Sequence, residues 1–454
     1  MPPVSDQHST WQRVRSFFSE ALRDNEEDFT TGPIRRALGL LAIPMMLEMA
    51  MESIFAVVDI AFVSRLGTDA VAAVGITEAL ITVLYGIAIG LGMGITAMVS
   101  RRIGEKDAHG AAQVTGQSLW VGILLSVGIG VFGVMFARDL LVLMGASDGV
   151  VEQGAGFTAV LLGGSFSIIY LFLLKAAFRG AGDATVALRS LWIANGINII
   201  LDPCFIFGLG PFPEMGVTGA AVATTIGRGI GVAYQLWYLM NGRGRIAFAL
   251  RHLRFIPSLA WRMVVISLGG IGQFLIATSS WIIVMRIVAI FGSPAIAAYT
   301  IALRMMEFVF LPAWGLGNAA ATLVGQNLGA GQPDRAEEST WQAAKYNTMF
   351  MSFVGVFLLV FAEGITGLFT VEPDVLRIGT SCLQVLAIGF PAYAVGMVIV
   401  QAMNGAGDTE TPAVLNAVCF WLLQIPLAFV LATKTTLLSN GAFVAITVSE
   451  CVLT

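Results

Sequence analysis

The chain has 454 residues, 57% of them hydrophobic and only 12% charged, whereas about a quarter of the residues of a soluble globule are charged; the composition specifies a membrane protein. With 25 Lys and Arg against 29 Asp and Glu, a formal net charge of −4, no global basic field exists to hold nucleic acid. The four cysteines, Cys204, Cys382, Cys419 and Cys451, fall in apolar runs without CxxC or Cys/His spacing, which argues against a disulfide framework or a zinc centre.

Residues 1–34 are polar and mixed in charge and lack the apolar stretch and small-residue cleavage site of a signal peptide. They read as a solvated cytoplasmic tail rather than an amphipathic helix lying on the membrane. Apolar runs of about 20 residues, the length that crosses roughly 30 Å of hydrocarbon, then follow near 38–63, 70–99, 112–136, 155–178, 185–208 and 216–240. A polar stretch, NGRGRIAFALRHLRF, separates them from six more near 263–290, 295–324, 341–361, 378–403, 411–433 and 441–454. Runs of this length exclude a strand barrel. The expected fold is an all-α polytopic membrane protein of twelve spans. Its parts are a tail (1–34), a first lobe (35–240), a cytoplasmic linker (241–257) and a second lobe (258–454).

Charge counting supports this topology. With the N-terminus inside, inward segments together with the inward ends of the adjoining spans hold 18 Lys and Arg and outward segments 4, leaving Arg228, Arg286 and Arg304 within spans, as the positive-inside rule requires. A multi-pass protein of the cell membrane with a cytoplasmic N-terminus is expected.

Sliding the chain against itself by 225 residues aligns Gly67 with Gly292, Gly90 with Gly315, Gly104 with Gly329, and GAGD at Gly180–Asp183 with GAGD at Gly405–Asp408. The shift spans an even number of helices, so the lobes form a parallel repeat. Matching glycines read as close helix packing. On the same alignment position 454 corresponds to 229, so the twelfth span is short.

Function is expected where the halves differ. Ionisable side chains inside spans are costly and mark functional positions. Glu48, Glu52 and Asp59 lie at about 0°, 40° and 20° on the first helix, and Asn195, Asn198 and Asp202 at about 0°, 300° and 340° on the fifth. Asp59 and Asp202 fall roughly 8 and 9 Å below the outer helix ends, at one depth. The repeat replaces Asp59, Asp202 and Asn198 by Val284, Leu427 and Leu423. Glu78 and the Arg304/Glu307 pair are expected as structural ion pairs or cavity-lining groups. Asp183 and Asp408 sit between spans and read as helix caps. This separates GAGD from the GxGD signature of intramembrane aspartyl proteases. HExxH, GxSxG and the Walker phosphate loop are absent, so neither hydrolytic nor ATP-driven chemistry is expected.

The stretches IPMMLEMAMESIFAVVDIAFVSRLGTDAVAAVGI, FRGAGDATVALRS, INIILDPCFIFGLGPFPEMGVTGAAVAT, VGQNLGAGQPDRAEEST and MNGAGDTETPAVLN, in this order and spacing, resemble the multidrug and toxic compound extrusion (MATE) family over residues 33–454. The resemblance implies two lobes around a cleft that exports amphipathic organic cations and drugs in exchange for protons or sodium, with no other cofactor. Carried over residue by residue, Asp59, Asn198 and Asp202 match the cation site of the family's DinF-like branch, a possible sodium site, and a helix-six threonine falls near Thr218. Glu48, Glu52, Asn195, Glu78 and Glu307 are the further cavity-lining candidates. The NorM-like branch also uses carboxylates on helices seven and ten, where this chain has none, so coupling is expected in the first lobe. The partners implied are a small-molecule substrate and the lipid bilayer, with the protein a monomer. The competing function, flipping of a lipid-linked oligosaccharide, asks for a basic cavity to hold a pyrophosphate. Here the first helix is acidic and only Arg228, Arg286 and Arg304 were counted inside spans.

Overall fold

A computed structural model describes residues 10–23 and 27–454; the side chains at positions 10, 11, 13, 14, 53, 54, 56–61 and 64 lie outside the described set. The described residues form helices and turns, with no strand among them. A short α1 (Thr10–Ala21) precedes the first six spans. These are α2 (Ile34–Val63), α3 (Thr68–Gly104), α4 (Ala108–Leu143), the pair α5 (Asp148–Gly163) and α6 (Ser165–Ala181), α7 (Ala184–Phe207) and α8 (Val217–Met240). The second six are α9 (Pro257–Val288), α10 (Ser293–Gly329), α11 (Pro333–Gly367), the pair α12 (Pro373–Ile388) and α13 (Phe390–Ala406), α14 (Glu410–Asn416) running through a π-helical stretch into α15 (Ile425–Lys434), and α16 (Ser439–Leu453).

Eight of these helical stretches are long and apolar enough to cross a membrane alone, and α5 with α6, bent by 41°, makes a ninth. The other three spans are α8, α2 with its carboxylates, and the 15-residue α16. Several helices outrun their apolar runs; α3 and α10 each have 37 residues. Polar ends of spans are therefore helix, not loop.

The 225-residue repeat holds for the elements themselves. Both ends of α3 and α10, of α5 and α12, and of α6 and α13 lie 225 residues apart, as do the 3-10 turns Ser64–Leu66 and Ala289–Phe291. Gly182 and Gly407 end the fourth and tenth spans with φ of 92° and 91°, a conformation that disfavours any side chain. One apolar core runs from Val63 to Met263 and a second from Val284 to Ile446.

The lobes meet backbone to backbone. A β-carbon at Gly90 of α3 would overlap Ile271 of α9, and one at Gly315 of α10 would crowd Met45 and Met46 of α2. Further along, β-carbons at Gly104 and Gly329 would overlap the carbonyls of Gln326 and Arg101. Positions 90 and 315, and 104 and 329, are repeat partners, so the seam is two-fold and the packing reading of these glycines holds. It closes the end of the bundle that carries the tail and the interlobe linker.

The described part of the tail is docked on the bundle rather than solvated. Phe17 of α1 covers Gly39 of α2, and Phe29, 2% exposed, lies under the Arg245 guanidinium, 4.4 Å from its ring centroid. Arg335 of α11 donates to the Phe29 and Thr31 carbonyls (3.3 and 3.0 Å), Arg245 to the Glu27 carbonyl (2.5 Å), and Lys106 pairs with Asp28 at 2.5 Å. Burial pushes the Asp28 carboxyl up, but hydrogen bonds from Lys106 and Thr30 outweigh it and bring its pKa down to about 2. The tail thus ties the linker side of the first lobe to α11 of the second. In the linker, the Ala249 N–H donates to His252 Nδ1 (2.9 Å), and His252 Nε2 meets His109 Nδ1 of α4 at 2.7 Å.

Gly104→Leu should overpack the seam, at a cost of about 1–3 kcal/mol, and lower the thermal unfolding midpoint in detergent. Gly128→Leu, a position with no neighbour within 4 Å, should leave that midpoint unchanged. Equal midpoints for the two variants would mean that the seam is not closed.

Candidate functional site

The polar stripe of α7 faces protein: Asn195, Asn198 and Asp202 are 3%, 2% and 0% exposed. Asn198 Nδ2 donates to Asp202 Oδ1 (3.2 Å) and to Thr224 Oγ1 of α8 (3.1 Å). Gly227 makes this approach possible, because a β-carbon there would lie 3.1 Å from Asn198 Cβ and close on the Ala194 carbonyl. Among the described residues, Asn198 Oδ1 and Asn195 Nδ2 have no hydrogen-bond partner, an arrangement that is costly unless function uses it. The threonine that Asn198 reaches is Thr224; Thr218 sits at the start of α8 against Gly156 of α5. Asp59 lies on α2, which packs along α7, but its side chain is outside the described residues.

These groups suit a small hard cation. Asp202, Asn198 and Thr224 are oxygen donors of the kind sodium takes. Exchanging Oδ1 and Nδ2 by rotating the Asn198 amide, an assignment that geometry alone fixes, turns a third oxygen toward the other two.

A cleft of about 550 Å³ lies between the lobes. Phe55, Phe157, Phe172, Phe274 and Trp314 supply apolar wall, and Thr224 lines it, so the cleft and the Asn198 cluster share a residue. Glu52, Glu78 and Glu307 line it as expected. Arg228 donates to Tyr85 Oη (2.7 Å), and Arg304 pairs with Glu307 at 3.2 Å across exposed side chains. Arg286 is exposed in the last turn of α9 and does not line the cleft.

The basic residues number more than hydropathy placed inside spans. Lys175 and Arg179, which the charge count sets among the inward charges, belong to α6 and face Glu48: Lys175 Nζ lies 3.0 Å and Arg179 Nη1 3.8 Å from Glu48 Oε1. Glu48 is 0% exposed and Lys175 1%, so the first carboxylate of the stripe is committed to a buried ion pair. Opposite it, a chain of amides crosses the second lobe. Gln273 Nε2 donates to Asn404 Oδ1 (2.9 Å), Asn404 Nδ2 to Gln401 Oε1 (2.9 Å), and Gln401 Nε2 to Asn318 Oδ1 (2.9 Å). Nothing in the hydropathy announced this chain; three of its four residues line the cleft.

The capping aspartates diverge. Asp408 Oδ1 accepts from the Thr411 N–H (3.0 Å), the expected cap. Asp183 makes no side-chain cap; its Oδ2 accepts from the Arg245 N–H at 2.9 Å and its Oδ1 lies 3.6 Å from Arg245 Nε, which pins the linker.

The MatE family model matches residues 44–204 and 271–430. The probable multidrug resistance protein YoeA of Bacillus subtilis (strain 168) is 28% identical over 413 residues, 90% of this chain and 89% of its own. The FAD transporter of Shewanella oneidensis is 26% identical, covering 88% of each chain. A solved structure described as the outward-facing conformation of a multidrug resistance MATE family transporter of the MOP superfamily superimposes with a TM-score of 0.87 at 27% identity over 94% of both chains. The chain belongs to the MatE family: it is a multi-pass membrane transporter of the multidrug-efflux type, not an enzyme.

Removing one partner of a buried ion pair is far more damaging than removing both. Glu48→Leu should lower stability by about 3–5 kcal/mol, and Glu48→Leu with Lys175→Met should recover most of that. Additive losses in the thermal or denaturant unfolding of the two single variants and the double variant would exclude the pairing.

Proposed function

We propose that this MatE-family chain is a secondary antiporter that expels amphipathic small molecules carrying a positive group, in exchange for protons or sodium bound at Asp202, Asn198 and Asp59. The observation that carries the reading is the shared Thr224. It accepts from Asn198 within the buried cluster and also lines the solute cleft, so occupancy of the cluster alters the cleft wall directly. The Asp202 carboxylate, enclosed within the lobe, offers oxygens that a proton or a metal ion can occupy in turn. Glu52 and Glu78 in the cleft attract the positive group of the solute. The end closed by the glycine seam carries the N-terminus, so with that terminus in the cytoplasm, as the charge count indicates, the cleft opens outward from a monomer in the cell membrane. Relatives named as multidrug and FAD transporters favour export of small molecules over flipping of a lipid-linked oligosaccharide.

In proteoliposomes with an imposed pH or sodium gradient, Asp202→Asn and Asp59→Asn should each abolish gradient-driven efflux while the protein stays folded. Asp183→Asn should lose stability and keep coupling. Ion-coupled efflux by Asp202→Asn at wild-type rate would place the coupling ion elsewhere, with Glu52 and Glu307 next to be tested.

A further inference from the structure

The cleft changes sign along its depth. At the base, beside the seam, one carboxylate faces two cations. Both cations border the cleft, but Glu48 and Lys175 are almost wholly enclosed and neutralise each other, whereas Arg179 is 12% exposed. Glu48, at 3.8 Å, is the only carboxylate within ion-pair distance of Arg179 among the described residues. The backbone of Arg179 is fixed from the other lobe, because Thr322 Oγ1 of α10 donates to its carbonyl at 3.1 Å. Across the base the amide chain ends at Asn318, whose Oδ1 is taken by Gln401 and whose Nδ2 makes no protein hydrogen bond among the described residues. One helical turn toward the mouth, about 6 Å along α2, stands Glu52, and there the lining carboxylates Glu52, Glu78 and Glu307 outnumber the cations Arg228 and Arg304, so the net sign reverses.

We infer that the base of the cleft is an anion subsite and that the exported solute is a zwitterionic amphiphile. Arg179 and the Asn318 amide hold its carboxylate or phosphate group, and Glu52 and Glu78 hold its positive group. A guanidinium presents a planar fork of donors that fits either oxyanion, and the Asn318 amide supplies a neutral donor from the facing lobe. Lys175 is a positioning residue: it neutralises Glu48, which leaves the Arg179 charge for the solute. The inference rests on the antiport reading only in taking the cleft as the place where solute binds.

Binding to the purified full-length protein in detergent, without any gradient, tests this apart from coupling. Trp314 in the cleft wall reports occupancy by fluorescence quenching. The probes are a rhodamine dye as its free carboxylate, a zwitterion, and as its methyl ester, a cation. The wild type should bind the free acid at least tenfold more tightly than the ester. Arg179→Gln should erase that preference, Arg179→Lys should keep part of it, and Asn318→Asp should weaken the acid while sparing the ester, each with an unfolding transition that shows a folded protein. Equal or tighter binding of the ester by the wild type, or a preference that survives both Arg179→Gln and Asn318→Asp, overturns the anion subsite and leaves the antiport reading standing. Binding of neither dye overturns both.

Discussion

Helices in a bilayer gain nothing from hiding apolar surface from one another, because lipid tails are as apolar as leucine; they hold together where backbones come close enough to pack. In this protein that closeness is concentrated in a two-fold seam of glycines, Gly90 and Gly315, then Gly104 and Gly329. Where a β-carbon would strike a carbonyl, no side chain can stand between the lobes. The seam therefore fixes which end is shut, and the base of the cleft is the first level at which side chains fit. Arg179, Gln401 and Asn318 occupy that level.

Onto this symmetric frame the sequence places an asymmetric interior. The first lobe keeps charge within its spans: the Glu48–Lys175 pair with Arg179 beside it, and the Asn198–Asp202–Thr224 cluster. The second lobe presents the Arg304–Glu307 pair and a chain of neutral amides on its cleft face, and where α7 carries its polar stripe the matching stretch is the π-helical Ala417–Gln424. There Gln424 Nε2 donates to Ser280 Oγ at 3.0 Å, and Trp421 Nε1 donates to Ser279 Oγ at 3.0 Å. An extra residue per turn re-aims side chains toward α9, so the same helix that holds a carboxylate in one lobe anchors its neighbour in the other. Duplication kept the packing, and divergence changed what the packing surrounds.

The element ends, the lobes and the packing role of the glycines were legible in the chain because the repeat preserves them residue for residue, Thr68–Gly104 against Ser293–Gly329 above all. The burial of Asn195, Asn198 and Asp202 was legible too, since polar groups on one helical stripe cannot face lipid. Arg179 was misread because hydropathy marks where a span becomes polar, not where its helix stops; Lys175, inside the run 155–178, was set among the inward charges. An apolar window ends before Arg179, yet α6 continues to Ala181 and turns both cations onto Glu48. Thr224 rather than Thr218 meets Asn198 because the meeting is set by Gly227 and the crossing of α7 on α8, which no spacing within α8 encodes. The docked tail escaped notice for a similar reason. Its mixed charge reads as solvated, while the partners that hold it, Arg245 and Arg335, lie over 200 residues away in sequence and are brought together only by the closed seam.

On the proposed antiport reading, the orientation of one amide bears on the choice of coupling ion. With Nδ2 toward Asp202 Oδ1 and Thr224 Oγ1, Asn198 donates to oxygens that a metal ion would need as ligands, and the arrangement favours a carboxylate left negative or sharing a proton through its other oxygen. With the amide turned over, three oxygens converge and a donor is withdrawn, which favours sodium. The same rotation reverses the bond on the cleft wall, turning Thr224 Oγ1 from acceptor to donor toward Asn198. Ion identity, amide orientation and the wall that the solute touches are thus one linked set of hydrogen bonds. A two-state element of this kind is what lets a small change of occupancy bias the packing of whole lobes, since ions shift such an equilibrium only through contacts that differ between its states.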